Sequence, residues 1–194
     1  MLSFSSPTVH SSLVVTSRNV RPSTLGLITR TPSEIIPRLY LSGVFTAGSE
    51  EQLSSLGITH IISLIEVRPP YPKSLPHLKT LHIPIEDTAN TNILQHLDLT
   101  TNFIRAALEE SKHNVVLVHC AMGISRSATV VCAYLLATTP MIADEAIDFV
   151  RSRREIVCPN IGFRTQLDMY VAHLPGRRIH RRPWHKLLRR GYAG

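Results

Sequence analysis

The feature that most constrains the fold of this chain is a short loop between two apolar runs. Residues 115–119 form a continuous apolar run that predicts a buried strand. Residues 127–138 predict a helix that is apolar on almost all sides and is therefore buried as well. The loop between them has the sequence Cys120-Ala121-Met122-Gly123-Ile124-Ser125-Arg126. A buried strand, a tight turn and a buried helix in succession are typical of the interior of an α/β domain.

A loop of this kind is suited to binding a tetrahedral dianion. Its successive backbone N–H groups point at one spot, and the positive end of the following helix dipole is directed at the same place. Gly123 permits a turn that a Cβ would hinder, and the guanidinium of Arg126 can donate two hydrogen bonds to phosphate oxygens. The predicted substrate-binding residues are Ala121, Met122, Gly123, Ile124, Ser125 and Arg126.

Cys120 is the predicted nucleophile of this loop. A helix N-terminus and a neighbouring arginine both favour the thiolate, which is the reactive form of cysteine. The thiolate would attack phosphorus in line, form a cysteinyl-phosphate and release it to water. The alternative is that Cys120 is an inert core residue, as most cysteines between a buried strand and a buried helix are. Arg126 at position +6 and Gly123 at position +3 favour the catalytic interpretation.

The rest of residues 34–174 alternates strand and helix patterns. Short strands are predicted at 38–42, 60–65 and 78–85, and helices at 47–56, 93–111, 142–151 and 163–174. The alternation indicates a mostly parallel central sheet flanked by helices on both faces. We expect residues 1–33 to be a disordered N-terminal tail and residues 175–194 to be a basic C-terminal tail.

The run His119-Cys120-x5-Arg126-Ser127 resembles the signature of the protein tyrosine phosphatases, and most closely that of their dual-specificity branch. The resemblance extends over about residues 34–174 and includes the segments 37–43, 56–62, 150–154, 159–163 and 166–167. It implies that residues 34–174 are a small, atypical dual-specificity phosphatase catalytic domain. It also implies a cysteine-dependent enzyme that needs neither a cofactor nor a metal ion.

The same resemblance assigns roles to further residues. Asp87 corresponds to the general acid that protonates the leaving oxygen, with the neighbouring Glu86 as the alternative candidate. Ser127 corresponds to the hydroxyl that stabilises the departing thiolate. His119 corresponds to the residue that orders the loop, and Asn160 to a loop-supporting asparagine.

The loop also bears on the substrate. Its interior carries no lysine, which favours a single phosphate on a protein side chain over a phosphoinositide. By resemblance, a short domain has a shallow pocket that admits phosphoserine and phosphothreonine as well as phosphotyrosine. Two alternatives stay open: a phosphatase of a non-protein substrate such as phosphoinositide, glycan or RNA, and a non-catalytic module that recognises phosphorylated partners.

Charge is distributed unevenly along the chain. The formal net charge is +7, yet residues 34–174 hold eleven basic and fourteen acidic residues and carry −3. The C-terminal tail has seven basic residues and no acidic one, so it could bind an acidic surface or nucleic acid, or be merely solvated. No apolar run is long enough to span a membrane. We expect a cytoplasmic or nuclear protein, with mitochondrial import as an alternative because the N-terminal tail is rich in serine and lacks acids.

The other two cysteines have separate interpretations. Cys132 lies in the middle of the apolar run 127–138, where core packing is the favoured interpretation. Cys158 precedes Pro159 near the closing segment, and it is either structural or a redox partner of Cys120. Three cysteines give no disulfide framework, which fits a reducing compartment.

Overall fold

The computed structural model describes residues 22–174, which form a five-stranded sheet with helices on both faces. The strands are β1 (Ser33–Ile36), β2 (Leu39–Ser42), β3 (His60–Leu64), β4 (Lys79–Ile83) and β5 (Val116–His119). The helices are α1 (Pro22–Arg30), α2 (Val44–Ala47), α3 (Glu50–Ser55), α4 (Leu94–Glu110), α5 (Arg126–Thr138), α6 (Ala143–Arg153) and α7 (Ile161–His173).

The sheet has the strand order β1-β2-β5-β3-β4. The pairs β2–β5, β5–β3 and β3–β4 are parallel, and only β1 runs antiparallel to its neighbour β2. The predicted mostly parallel sheet is therefore confirmed. In a sheet of this kind the loops that follow the parallel strands meet at one edge, which is where ligands bind. Here that edge carries the loop from Cys120 to Arg126.

The core is divided by the sheet. On one face, Ile62, Val116 and Val118 contribute to the main core under α4, α5, α6 and α7. On the other, Ile61 and Leu117 pack with Leu53 of α3 in a smaller cluster. Side chains of a strand alternate between its faces, so β3 and β5 are buried on both sides, as a central strand of a parallel sheet must be. Helix α5 is buried along residues 126–136, as its sequence predicts.

The helix predicted at 47–56 is shorter in the structure, where α3 spans Glu50–Ser55 and the separate helix α2 ends at Ala47. The chain changes direction between them because Ser49 is extended and caps α3, its hydroxyl accepting a hydrogen bond from Gln52 N at 3.3 Å. The turn that ends α3 uses Gly57, whose φ of +63° favours glycine.

The N-terminal prediction also differs from the structure. Helix α1 and the first residue of β1 lie within residues 1–33, which we expected to form a disordered tail. Helix α1 packs against α2, and Thr46 Oγ1 donates to the carbonyl of Arg30 at 3.4 Å. The remaining residues of the predicted tail, 1–21, and the whole predicted tail at 175–194 lie outside the described residues. No helix within residues 22–174 is both long enough and apolar enough to cross a membrane.

Candidate active site

The residues with the potential for chemistry come together at the carboxyl edge of the parallel strands. Three segments meet there: residues 120–126 between β5 and α5, which we call the phosphate loop; residues 84–93 between β4 and α4, which we call the acid loop; and residues 158–160, just before α7. The site is therefore assembled from parts of the chain that only the fold brings together.

The Cys120 sulfur lies at the floor of the phosphate loop. The residue is only 2% exposed. Its Sγ accepts hydrogen bonds from the backbone N–H of Gly123 at 3.3 Å and from the hydroxyl of Ser127 at 3.1 Å. It also stands at the N-terminal end of α5, where the helix dipole is positive. Two hydrogen-bond donors and the positive end of the helix dipole are therefore directed at the Cys120 sulfur.

The carbonyl groups of the phosphate loop are held by neighbouring segments. Val44 N donates to Ala121 O at 3.1 Å, and Cys158 N donates to Ile124 O at 3.0 Å. Arg154 donates to Met122 O at 3.1 Å and to Gly123 O at 3.0 Å. In a trans peptide the C=O and N–H groups point in opposite directions. Four consecutive carbonyls with partners outside the loop therefore leave the loop's N–H groups directed at its interior, where an anion would bind.

Gly123 is required by the conformation of this loop. Its φ is +71°, a region that L side chains rarely adopt. A Cβ at this position would lie 2.5 Å from the backbone carbonyl of Ser42 and 2.9 Å from the guanidinium of Arg154. The loop is thus packed so closely on β2 and Arg154 that no side chain fits at Gly123.

Arg126 is buried at the entrance of α5 and contacts the acid loop. Its Nη1 donates to the carbonyl of Ile85 at 2.8 Å and lies 3.0 Å from the carboxylate of Glu66. Its Nε is buried and has no hydrogen-bond acceptor among the described residues; the nearest carboxylate oxygen, Asp87 Oδ2, is 3.7 Å away. A buried guanidinium N–H without an acceptor can donate to a phosphate oxygen.

Glu66 is a site residue that the sequence did not reveal. It immediately follows the stretch 60–65 that we predicted as a strand, but no motif marks it. Partial burial opposes ionisation of Glu66, whereas backbone and Arg126 hydrogen bonds and the charge of Arg126 favour it, and the net effect lowers the pKa of the carboxyl. Glu66 is therefore an anion that orients Arg126.

Asp87 is held next to the phosphate loop by two hydrogen bonds to the same oxygen. Ser125 Oγ donates to Asp87 Oδ1 at 2.7 Å, and Asn160 Nδ2 donates to it at 2.9 Å. Ser125 Oγ in turn accepts from the backbone N–H of Asn160 at 3.1 Å. The neighbouring Glu86 is exposed. The structure thus brings Asp87, rather than its alternative Glu86, into contact with the loop, and it puts Asn160 beside both.

Helix α7 also holds the acid loop in place. Gln166 donates to Thr91 O at 2.9 Å and accepts from Leu94 N at 2.8 Å. At Gly162 a Cβ would overlap the carbonyl of Ala89, so the start of α7 lies directly against this loop. The position of the Asp87 carboxylate therefore depends on α7 as well as on the loop itself.

His119 is completely buried behind Cys120. Its Nδ1 lies 3.3 Å from the carbonyl oxygen of Cys120, which can only accept, so Nδ1 carries the proton. Burial lowers the pKa of His119 to about 4, with smaller contributions from His82 and Arg126, so the ring is neutral at pH 7. The unprotonated Nε2 accepts from the Ser63 hydroxyl at 2.6 Å, and Ser63 in turn contacts the Tyr71 hydroxyl. Neither Ser63 nor Tyr71 was predicted.

Arg154 is a further residue of the candidate site that the sequence did not reveal. It is 2% exposed, and besides its two bonds to the phosphate loop its Nη1 donates to Thr31 O at 2.8 Å and to Ser33 Oγ at 3.2 Å. Burial lowers its pKa to about 10, and attraction to Cys120 partly offsets that effect, so Arg154 stays charged at neutral pH. Arg154 thus joins residues 31–33 to the loop that surrounds the sulfur.

The two remaining cysteines differ in environment. Cys132 is fully buried within α5, and burial raises the pKa of its thiol, as expected for a core residue. Cys158 is partly exposed, and Arg164 Nη2 lies 3.7 Å from its sulfur. No group of three or more His, Cys, Asp or Glu side chains within residues 22–174 is arranged to hold a metal ion.

A sulfur nucleophile at the floor of an anion-binding loop, faced by a carboxylate at the edge of a parallel sheet, is the arrangement of the cysteine-based phosphatases. This is the class that the fold and the site define. Within it, the family model described as "Dual specificity phosphatase, catalytic domain" matches residues 39–172. The chain therefore belongs to the dual specificity phosphatase family.

Similar proteins agree with this assignment. The chain is 39% identical over 153 residues to MAP kinase phosphatase with leucine-rich repeats protein 3 of Dictyostelium discoideum, a match that covers 78% of this chain and 17% of that protein. It is 38% identical over 143 residues to human dual specificity protein phosphatase 5, covering 74% and 36%. The crystal structure of DUSP15 superposes with a TM-score of 0.69 at 33% identity, covering 73% of this chain and 88% of that one.

The matched segment is short relative to the curated relatives. It spans between 17% and 41% of the length of four of them. The chain therefore spans less than half the length of these relatives.

Proposed function

We propose that this chain is a protein phosphatase that hydrolyses phosphotyrosine, phosphoserine and phosphothreonine through a cysteinyl-phosphate intermediate. The observation that carries the proposal is the environment of Cys120. Its sulfur accepts two hydrogen bonds, from Gly123 N and Ser127 Oγ, at the floor of a loop whose N–H groups face inward. A sulfur in this place is positioned for attack on a bound phosphoryl group.

In the first step the thiolate of Cys120 attacks phosphorus and the bond to the substrate oxygen breaks. The non-bridging oxygens accept hydrogen bonds from the loop N–H groups and from Arg126. These donors stabilise the negative charge that a loose transition state spreads over the three oxygens. The leaving oxygen takes a proton from Asp87, which two neighbours hold beside the loop. The products are a cysteinyl-phosphate and the dephosphorylated side chain.

In the second step water attacks the phosphorus of the cysteinyl-phosphate. The Asp87 carboxylate accepts the proton of that water, and the sulfur–phosphorus bond breaks to release inorganic phosphate. The thiolate that departs regains the hydrogen bond from Ser127. No metal or organic cofactor takes part in either step.

Two features support a protein substrate. The interior of the phosphate loop carries Ala121, Met122 and Ile124, with no lysine that could meet a second phosphate. Curated relatives of similar sequence have names that describe dual specificity or MAP kinase phosphatases. A single phosphate on a polypeptide side chain is the substrate that fits both.

The test is steady-state hydrolysis of a small aryl phosphate by the whole chain between pH 5 and 8. We expect Cys120→Ser to abolish turnover and Asp87→Asn to lower kcat by roughly 100-fold, the usual worth of general acid catalysis. The matched controls are Cys158→Ser and Glu86→Gln, which should retain most of the activity. If the reduced, unmodified protein shows no turnover, the proposal is wrong.

The two alternatives are distinguished by a panel of substrates. A phosphoinositide, glycan or RNA phosphatase would hydrolyse one of those compounds with a higher kcat/KM than any phosphopeptide. A recognition module would bind a phosphopeptide without turning over either the peptide or the aryl phosphate.

We propose first that the protein is cytoplasmic or nuclear. We propose second that its C-terminal basic tail binds an acidic surface or nucleic acid. The seven basic residues of residues 175–194 support the second statement. N-terminal sequencing of the protein from cells tests the first, because loss of the Met1 region would favour mitochondrial import.

A further inference from the structure

Three large apolar side chains are exposed on segments that contact the candidate site. They are Phe45, Val67 and Ile161, which are 53%, 77% and 72% exposed. Each belongs to a different segment: Phe45 to α2, Val67 to the connection after β3, and Ile161 to the start of α7. We call these three residues the apolar rim.

Each rim residue directly follows a residue that contacts the site. Val44 N donates to the phosphate-loop carbonyl of Ala121, the Glu66 carboxylate contacts Arg126, and Asn160 donates to Asp87. Neighbouring Cα atoms are about 3.8 Å apart, so the Cα atom of each rim residue lies at about that distance from the Cα atom of a residue that contacts the site. The rim therefore belongs to three segments that border the candidate site.

Phe45 is also held in place. The guanidinium of Arg30 lies over its ring, 4.6 Å from the centroid. A cation in this position is attracted to the ring face, which restrains an otherwise exposed side chain. A large apolar side chain that is exposed and restrained is suited to bind a partner with little loss of its own conformational freedom.

We propose that the apolar rim binds large apolar side chains that flank the phosphorylated residue of a protein substrate. The inference rests on the proposed function. It narrows the substrate class to phosphoproteins with Leu, Ile, Met or aromatic residues close to the phosphorylated position.

The occupant is a substrate segment because the phosphate loop fixes where its chain must run. With the phosphoryl group inside the loop, the polypeptide on either side has to run past the segments that border the loop, and the rim residues belong to these segments. An extended chain advances about 3.3–3.6 Å per residue, so residues two or three positions from the phosphorylated one are within reach of the rim. Apolar patches bordered by polar groups are typical of binding sites.

The experiment compares kcat/KM for two phosphopeptides, one with leucine and one with serine at the positions flanking the phosphorylated residue, and for a small aryl phosphate. The variants are Phe45→Ala, Val67→Ala, Ile161→Ala and the triple substitution. Leu99→Ala on α4 and Met169→Ala on α7 are matched controls, since both residues are exposed apolar residues that lie on other helix surfaces.

We expect the unmodified chain to prefer the leucine peptide. Burial of one large apolar side chain corresponds to about a tenfold gain in kcat/KM, so each rim variant should lose about tenfold on this peptide, mostly through KM. The triple variant should no longer distinguish the two peptides. Activity on the aryl phosphate should be unchanged in every variant, and the two controls should keep the preference.

Equal losses on the aryl phosphate and the peptide would overturn the proposal, because they would show a structural effect. Absence of a preference in the unmodified chain would overturn it as well. If the rim instead bound residues 1–21 or a second copy of the chain, the rim variants would lower thermal stability or dimer formation without changing the peptide preference, and the substrate assignment would be wrong. Failure of the proposed function itself would be distinct, since the aryl phosphate would not be hydrolysed at all.

Discussion

At the scale of single residues, the burial of His119 beside the phosphate loop makes the stability of the fold depend on the protonation of its ring. The ring is completely buried and neutral, and its two nitrogens connect the Cys120 carbonyl to the Ser63 hydroxyl. A proton on Nε2 would break the bond in which that nitrogen accepts. The environment therefore favours one protonation state and one tautomer.

The pKa of His119 gives a prediction about acid stability. Burial lowers this pKa to about 4 from an ordinary 6.5, so between these values the unfolded chain takes up a proton that the folded chain does not. The contribution of neutral His119 to the free energy of unfolding is complete above about pH 6.5 and is lost as the pH falls towards 4. We expect about 2 kcal/mol of the free energy of unfolding to be lost from this residue between pH 7.5 and pH 5. Urea unfolding at both values would measure it.

The control is His119→Gln, which removes the titrating group. This variant should be less stable at pH 7.5, but its free energy of unfolding should fall less than that of the unmodified chain on moving to pH 5. The same pH dependence in both proteins would contradict the assignment.

Ser127 is expected to act in the second chemical step. Its hydroxyl donates to the Cys120 sulfur at 3.1 Å and so stabilises the thiolate when it leaves phosphorus. A hydrogen bond to a charged group contributes about 1.5–3 kcal/mol, so Ser127→Ala should slow hydrolysis of the intermediate by roughly 10- to 100-fold. Rapid-mixing kinetics with an aryl phosphate should then show a burst of one equivalent of phenol. A slow first turnover without a burst would speak against this role.

At the scale of elements, the turn at Gly123 decides whether the phosphate loop can form. We expect Gly123→Ala to abolish turnover, because its φ of +71° is strained for alanine and its Cβ would meet the Ser42 carbonyl at 2.5 Å. Gly57 is a matched control with a similar φ of +63°, and a Cβ added there would meet no atom within 4 Å. Gly57→Ala should cost about 1 kcal/mol of stability and leave kcat unchanged. Activity assays and thermal unfolding of both variants would test this, and an active Gly123→Ala would refute it.

Helix α1 and the turn after it are expected to support catalysis through Arg154. The guanidinium of Arg154 binds Thr31 O and two phosphate-loop carbonyls, so removing residues 1–32 takes away the 2.8 Å acceptor and leaves Nη1 with the longer hydrogen bond to Ser33 Oγ, at 3.2 Å. We expect this deletion to lower kcat/KM on an aryl phosphate by about tenfold. Deletion of residues 1–21 keeps these contacts and is the control. Equal activity of the two shortened chains would exclude a contribution from this segment.

Some helices and strands could be predicted from the sequence and others could not, and the reasons are physical. The strand–loop–helix unit from β5 to α5 was predictable because the apolar runs on either side of the loop leave little choice of structure. The break between α2 and α3 was not, since it depends on how Ser49 caps the second helix. Helix α1 was missed because residues 1–33 show little amphipathic pattern, and its stability comes from tertiary contacts with α2.

The site was predicted where a motif marks it and missed where only tertiary structure does. Cys120, Arg126, Asp87 and Asn160 lie in recognisable segments, and the structure brings them together. Arg154 follows Arg151 and Arg153, yet only Arg154 is buried. Neither the residue type nor the local pattern distinguishes the arginine that holds the loop from its exposed neighbour Arg153.

At the scale of the whole molecule, positive charge is concentrated outside the catalytic domain. Residues 34–174 carry −3, whereas residues 175–194 carry +7. We expect deletion of residues 175–194 to weaken retention on anionic lipid vesicles, with a loss that is largest at low salt because the attraction is screened. Turnover of an aryl phosphate should be unaffected. Vesicle sedimentation at low and at high salt would test this, and unchanged retention would show that the tail is merely solvated.

The contacts of Arg154 have a consequence for folding. The hydrogen bond between Arg154 and Thr31 joins residues that are 123 positions apart, and the one between Arg154 and Gly123 joins residues that are 31 positions apart. The hydrogen bond between Asp87 and Asn160 joins residues that are 73 positions apart. Closing such long stretches of chain is costly in entropy and is repaid only when the elements dock. We therefore expect Cys120, Arg154 and Asp87 to reach their places together, when these elements dock. In a partly folded chain we expect the Cys120 thiol to be exposed but inactive.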